Sequence, residues 1–333
     1  MTRLSSSVNR RYNGKEPLMR KPAKILISIG REVGGITSFS KSLGAGFEAL
    51  GYSVVYFKPK EVFSHFRDLR SKDTLKILST TAVFFAPLFK NTICVAHGFP
   101  RIGGQGFLKW FFITMSFYLA SKHSTLVAVS HYVKNHIAAF FGIVAKDVVY
   151  NPLRQEFFTQ KEVLPERTHI TYIGRLHPVK NVPLFIQPLK NLLDKNPKYT
   201  VTIVGIGDDQ SLAIRLADRR FKFVNHLDEE QIVDLLYRTK VFFSGCDTEA
   251  LGISFIEALA CGCSVVMPLS GGSLEIAPEL TNKGVFTFSP SFGGIEEALK
   301  EAIAYDAEVV FDATRFCSKT IANHYLKAGG WTN

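Results

Sequence analysis

Cysteine is scarce and unpatterned: Cys94, Cys246, Cys261, Cys263 and Cys317 form no CxxC pair. An odd, scattered set excludes a disulfide scaffold and a cysteine-built zinc site, and it predicts a reducing compartment. Long apolar runs are missing as well, so no stretch predicts a membrane-spanning helix. Acidic charge is short, with 29 Asp and Glu against 40 Lys and Arg, a formal net charge of +11. That excess favours anionic partners (phosphorylated ligands, acidic lipid surfaces, nucleic acid), with plain solubility as the alternative. The dinucleotide fingerprint is absent: Gly30 and Gly34 do not complete a GxGxxG, and no acidic residue ends the strand expected to finish at Phe57. A nicotinamide dehydrogenase is therefore disfavoured. No aromatic residues interleave with the basic N-terminal arm in a recognition motif, which ranks nucleic acid low among partners.

What is present describes a folded chain. The 333 residues suit two domains, and 46% hydrophobic with 21% charged residues excludes disorder throughout. Residues 1–22 read as a flexible basic arm without the apolar core of a signal peptide. A β-branched strand at 24–29, a glycine-rich turn, a helix at 38–50 and a strand at 53–57 open a doubly wound α/β domain. Further strands are expected at 91–96, 126–129 and 147–150, and helices at 107–119 and 132–141. Residues 80–89 are open between helix and loop. After a hinge near 152–166, a second series places strands at 170–173, 200–204, 221–224, 241–243 and 264–267. Helices are expected at 182–196, 211–219, 229–238, 295–305 and 314–326. A ligand belongs in the cleft where the strand ends of both halves face each other.

The chemistry-bearing residues cluster after strands. Glu249 and Glu257 are eight positions apart, with Gly252 just after the first, where a helix should begin. Carboxylates accept from paired hydroxyls, and the N–H groups of Gly252, Ile253 and Ser254 at a helix start suit a phosphate. Two glutamates at this distance alone are equally a solvated helix face; Gly252, Ala258, Ala260 and Gly262 around them sharpen the pattern. Arg175 and Lys180 lie on one loop, where a guanidinium fork and a compact ammonium can converge on a diphosphate, or remain two solvated cations. Gly34 and Gly35 let backbone amides approach a phosphate or sugar, or simply make a tight turn. His97 ends a buried strand at the expected cleft mouth, as an orienting group or a structural histidine. Gly205 and Gly207 shape the turn after the 200–204 strand.

The stretch Glu249-Ala-Leu-Gly-Ile-Ser-Phe-Ile-Glu257 resembles the E-x7-E signature of retaining GT-B glycosyltransferases, most closely the glycosyl transferases group 1 (GT4-like) family. Gly174-Arg175 through Lys180 resembles that family's G-R-x-x-x-x-K-G, with Asn181 in place of the last glycine. Gly205-Ile-Gly207 and Gly271-Gly272 with Glu275 fit two further motifs. The resemblance covers about 24–320 and is strongest from 170 to 275. It implies an α/β GT-B fold, two Rossmann-like domains facing across a cleft. The implied boundaries are an arm at 1–22, an acceptor-side domain at 23–160, a nucleotide-sugar-binding domain at 161–315, and a C-terminal helix at 316–333 packing back on the first domain.

The resemblance also implies roles. Glu249 would bind donor-sugar hydroxyls and Glu257 the ribose hydroxyls. Arg175 and Lys180 would meet charge on the leaving nucleoside diphosphate, and His97 would contact the donor sugar. Gly34 and Gly35 would lie beside the diphosphate and acceptor. Transfer would proceed with retention, from a nucleotide sugar such as a UDP-sugar, with no cofactor and no metal. The absence of an Asp-x-Asp agrees with the last expectation. Gly245-Cys246 and Ala250-Leu251 depart from the common family residues and leave the donor sugar open. The acceptor would be a glycan or lipid-linked intermediate of lipopolysaccharide, capsule or exopolysaccharide synthesis. The expected location is cytoplasmic, with a peripheral seat on the inner membrane face through the 107–119 helix and Lys60, Arg67, Arg70 and Lys72. That apolar helix is otherwise ordinary core. A GT-B sugar-nucleotide epimerase is the alternative enzyme, and a basic nucleic-acid-binding protein the non-enzymatic one.

Overall fold

The computed structural model describes residues 21–30, 35–100, 106–158 and 166–331. Most of the expected basic arm, Gly34, and residues 159–165 of the expected linker lie outside these.

Two six-stranded sheets, parallel throughout, make up the strand content of the described residues. The first contains β1 (Lys24–Ser28), β2 (Val54–Phe57), β3 (Thr74–Leu78), β4 (Thr92–Ala96), β5 (Thr125–Ala128) and β6 (Asp147–Val148) in the order β2-β1-β3-β4-β5-β6. The second contains β7 (His169–Ile173), β8 (Thr200–Val204), β9 (Phe221–Val224), β10 (Thr239–Phe243), β11 (Ser264–Pro268) and β12 (Val285–Phe288), ordered β12-β11-β10-β7-β8-β9. Helices cover both faces of such sheets, so the central strands read as continuous apolar runs; Ile25, Leu26 and Ile27 are all fully buried.

The helices are α1 (Gly35–Glu48), α2 (Phe66–Arg70), α3 (Phe107–His123), α4 (His131–Phe141), α5 (Pro183–Lys195), α6 (Gln210–Leu216), α7 (Glu229–Tyr237), α8 (Ile253–Ala260), α9 (Ile295–Ala304) and α10 (Ser318–Ala328). Local chemistry sets their ends. Ser130 Oγ accepts from Val133 N at the start of α4, and Gly142 closes that helix in the left-handed region at φ 62°. Asp228 and Gln231 form a reciprocal capping box on α7, at 2.8 and 3.0 Å.

Two strands escaped the sequence reading. β3 was hidden by Lys76, a charged residue in the middle of Thr-Leu-Lys-Ile-Leu, yet the side chain is fully buried. Its ammonium donates to the carbonyls of Ser71 and Lys90, which satisfies the charge at the sheet margin; burial still pushes its pKa down to about 8. β12 is a four-residue edge strand. Residues 80–88 resolve the open assignment as 3-10 turns, with Pro87 inside them. No helix among the described residues is long and apolar enough to cross a membrane.

α10 returns to the first domain and lies against α1, with Tyr325 6.2 Å from Phe39, ring to ring. The chain thus passes between the domains twice. The passages meet where Leu153 pairs in parallel with Cys317 and Leu153 N donates to Phe316 O at 2.8 Å. One buried cluster runs from β1 and β4 through α10 and Phe157 into Leu251, Phe255 and Ile256 around α8, so the domains share packed apolar surface.

Candidate active site

In the second sheet the strand order reverses between β7 and its neighbour β10. Ligands of open α/β sheets settle beyond the carboxyl ends of the strands at such a reversal. The loop after β7 carries Arg175 and Lys180; the loop after β10 carries Glu249. Topology therefore brings together residues some seventy positions apart in the chain. Lys180 Nζ donates to Glu249 Oε2 at 2.5 Å, with 22% and 20% of the two side chains exposed. Burial opposes the Lys180 charge, but Glu249 and the Cys246 thiol outweigh it, so the ammonium is held above the usual lysine range. Arg175 is exposed on the same loop as Lys180, whose turn is pinned by Tyr172 Oη donating to Arg175 O at 2.8 Å.

Asn181 explains its own departure from the family's glycine. It adopts φ 52°, a left-handed conformation that asparagine tolerates better than other side-chain-bearing residues. Its Nδ2 donates to Gly245 O at 2.9 Å, tying the Lys180 turn to the loop after β10.

Gly252 precedes α8 at φ 82° and offers no capping side chain. The first turn of α8, Ile253 and Ser254, thus starts with N–H groups free of a side-chain cap, between Glu249 and Glu257 in sequence. Gly205 and Gly207 turn the chain after β8 directly against the β7 loop. Leu176 N donates to Ile206 O at 2.9 Å, and a Cβ on Gly205 would lie 1.9 Å from Gly174 O.

Glu257 is not an open carboxylate. It is 7% exposed, and Arg154 from the interdomain segment donates to its Oε1 through Nε and Nη2, at 3.1 and 2.9 Å. Burial raises the Glu257 carboxyl above the usual range, and Arg154 offsets part of that. The sequence reading missed Arg154 because its partner lies 103 positions away and no local pattern links them.

On the opposite side, Ser28, Ser79 and His97 sit at the ends of β1, β3 and β4, next to the reversal in the first sheet. Ser79 N donates to Ser28 Oγ at 2.7 Å, and Ser79 Oγ and His97 Nε2 are hydrogen-bonded at 3.0 Å. The His97 ring meets Phe39 edge-on at 4.5 Å. Burial pushes its pKa down to about 4, so the imidazole is neutral near neutrality and serves as a hydrogen-bonding group rather than a cation. Gly35 begins α1, and Gly34 lies outside the described residues.

The two sides are fastened at α4. Ser130 Oγ donates to Ala250 O, and Glu275 accepts from His131 N at 3.0 Å and Tyr132 N at 3.4 Å, a carboxylate at a helix N-terminus. Gly272 N donates to Glu249 O at 2.7 Å. The segment holding Glu249 is thus braced from the second domain by Gly272 and from the first by Ser130.

Two facing parallel α/β domains with this crevice are the GT-B architecture of glycosyltransferases. Residues 154–308 match the model of the family described as Glycosyl transferases group 1. A GDP-mannose-dependent monoacylated alpha-(1-6)-phosphatidylinositol monomannoside mannosyltransferase from Corynebacterium glutamicum is 31% identical over 118 residues, 32% of this chain. The match spans 31% of that relative's length. Among solved structures, Anabaena Alr3699/HepE in complex with UDP-glucose superposes with a TM-score of 0.66 at 16% identity, over 92% of this chain and 94% of the other. WaaG, a glycosyltransferase involved in lipopolysaccharide biosynthesis, gives a TM-score of 0.66 at 12% identity, over 91% and 95%. The family match covers most of the second domain, and the two solved structures share the two-domain fold.

Proposed function

We propose that this protein transfers a sugar from a nucleoside-diphosphate sugar, a UDP-sugar foremost, to a glycan or lipid-linked acceptor with retention of anomeric configuration. The observation that carries this reading is the meeting of Lys180 and Glu249 at the strand-order reversal, beside an uncapped helix start. Lys180, Arg175 and the α8 amides oppose the charge that builds on a departing diphosphate, without a bound metal being required. Glu249 offers its carboxylate to sugar hydroxyls. The glycosidic C–O bond to the diphosphate breaks, the acceptor oxygen bonds to the anomeric carbon from the same face, and a phosphate oxygen takes the acceptor's proton. The UDP-glucose bound to Alr3699/HepE supports the choice of nucleotide. Calorimetric titration with UDP, GDP and ADP tests it. One nucleotide is expected to bind wild type and to bind Glu257→Ala at least about tenfold more weakly. Absence of binding by all three would overturn the donor reading.

A lipid-linked acceptor is favoured by the first domain's surface. On α3, Phe107, Leu108 and Phe112 are 74%, 70% and 54% exposed, and Lys109 and Lys122 are exposed on the same helix. An apolar cavity of about 310 Å³ lies among Trp110, Phe111, Met115, Tyr118, Phe141 and Ile143. Exposed aromatics beside cations suit the surface of an anionic bilayer. The purified protein is expected to sediment with anionic vesicles at low salt, and Phe107→Ser with Phe112→Ser to stay in the supernatant. Equal recovery of both proteins in the supernatant removes the membrane part of the proposal.

A further inference from the structure

We infer that Arg154 is a positioning residue of the donor site, holding the Glu257 carboxylate oriented for a ligand's vicinal hydroxyls. The inference rests on the nucleotide-sugar reading and adds to it a residue outside the motifs that suggested it.

The geometry is that of a built clasp. Only 12% of the Arg154 side chain is exposed, and its guanidinium stacks 5.0 Å from the Phe157 ring centroid. Nη1 reaches Glu229 Oε1 on α7 at 3.3 Å, while Nε and Nη2 both end on Glu257 Oε1. Phe157 and Glu229 fix the fork from two directions, so it meets Glu257 with little freedom to lose. Concentrating both bonds on Oε1 leaves Oε2 as the acceptor for a ligand.

The charges around Glu257 explain why the clasp is needed. Besides Arg154 on the interdomain segment, it faces Glu229 on α7 and Glu156 on the turn at 155–158, both of which disfavour its ionisation, as does burial. Arg154 is the countercharge among these groups. Without it, a buried carboxyl beside two others takes up a proton at higher pH, and a protonated carboxyl accepts hydroxyl hydrogen bonds more weakly.

The sign of the pH effect follows. Removing Arg154 raises the Glu257 pKa further, so the loss of ligand affinity is greatest at low pH and shrinks as the pH rises and Glu257 ionises. The test is UDP titration by calorimetry on the full chain between about pH 5 and pH 9. Arg154→Gln is expected to weaken UDP binding by about tenfold or more at the acidic end, with the gap closing toward the alkaline end. Arg154→Lys, which restores the charge, is expected to recover most of the affinity. In a Glu257→Gln background the Arg154→Gln change is expected to leave both affinity and pH profile unmoved, which also guards against a general folding defect. Wild-type affinity in Arg154→Gln at every pH overturns the inference. So does a loss that is constant across pH, unrelieved by lysine, or undiminished in the Glu257→Gln background. Wild type that binds none of UDP, GDP and ADP overturns the donor reading and this inference together, whereas binding by wild type with any of the preceding results overturns the inference alone.

Discussion

Lys180→Ala is expected to lower sugar transfer by about 10²–10³-fold, the scale of losing one preorganised charge at a developing anion. The ammonium is held above the usual lysine range by Glu249 and Cys246, so it is charged throughout the physiological range and poised at the strand-order reversal. Nucleotide binding should fall less than turnover, because the interaction strengthens as the diphosphate departs. Truncation also strands the Glu249 carboxylate in a site where only 20% of that side chain is exposed, which costs about 1–3 kcal/mol of stability. Glu249→Gln is the companion variant: it keeps the shape and an acceptor for Lys180 but removes its countercharge, so its melting temperature should fall modestly while transfer drops. Single-turnover measurement with a radiolabelled UDP-sugar and a saturating acceptor separates chemistry from binding. Turnover of Lys180→Ala within about threefold of wild type would remove Lys180 from the chemical step.

The second large effect concerns a residue with no side chain. Gly272→Ala is expected to destabilise the protein by about 1–3 kcal/mol and to reduce transfer sharply. An added Cβ would stand 2.0 Å from Ala250 O and 3.0 Å from Ser130 Oγ. The first of these is backbone and cannot swing aside. Relief requires moving the segment that holds Glu249, which Gly272 N and Ser130 Oγ brace from the two domains. Gly293→Ala is the control: nothing lies within 4 Å of its would-be Cβ, so it should be neutral to slightly stabilising. Denaturant midpoints of the two variants test the contrast. Equal midpoints would show that the junction around Ala250 yields freely.

The division into two parallel α/β halves was legible because buried parallel strands are written as local apolar runs, such as Lys24-Ile-Leu-Ile-Ser and Thr200-Val-Thr-Ile-Val. Lys180 and Glu249 were placed in one site only through the resemblance of their motifs; what makes them neighbours is the sheet order β10-β7, which spacing alone does not encode. β3 was lost to its buried lysine, whose satisfaction depends on carbonyls at Ser71 and Lys90 contributed by chain turns. Arg154 carried no local signal at all. Its significance comes from a contact between the interdomain segment and α8, made after both domains exist. Gly271-Gly272 and Glu275 stood in the sequence only as a motif, and the geometry shows what they do: a glycine allows close approach and a carboxylate sits at the start of a helix from the other domain. The ends of local elements were approached closely, as with the 132–141 helix and α4, because Ser130 and Gly142 mark them chemically.

The return of α10 to the first domain has a consequence for how the protein comes off the ribosome. Ile321, Tyr325 and Leu326 are fully or almost fully buried in the same cluster as Ile25, Phe39 and Ile93. The first domain to be synthesised is therefore not complete until α10 emerges. While the whole second domain is being translated, the surface of α1 that α10 will cover stays open. The nascent first domain must wait, with apolar surface uncovered, for a helix encoded some three hundred residues downstream of its opening strand.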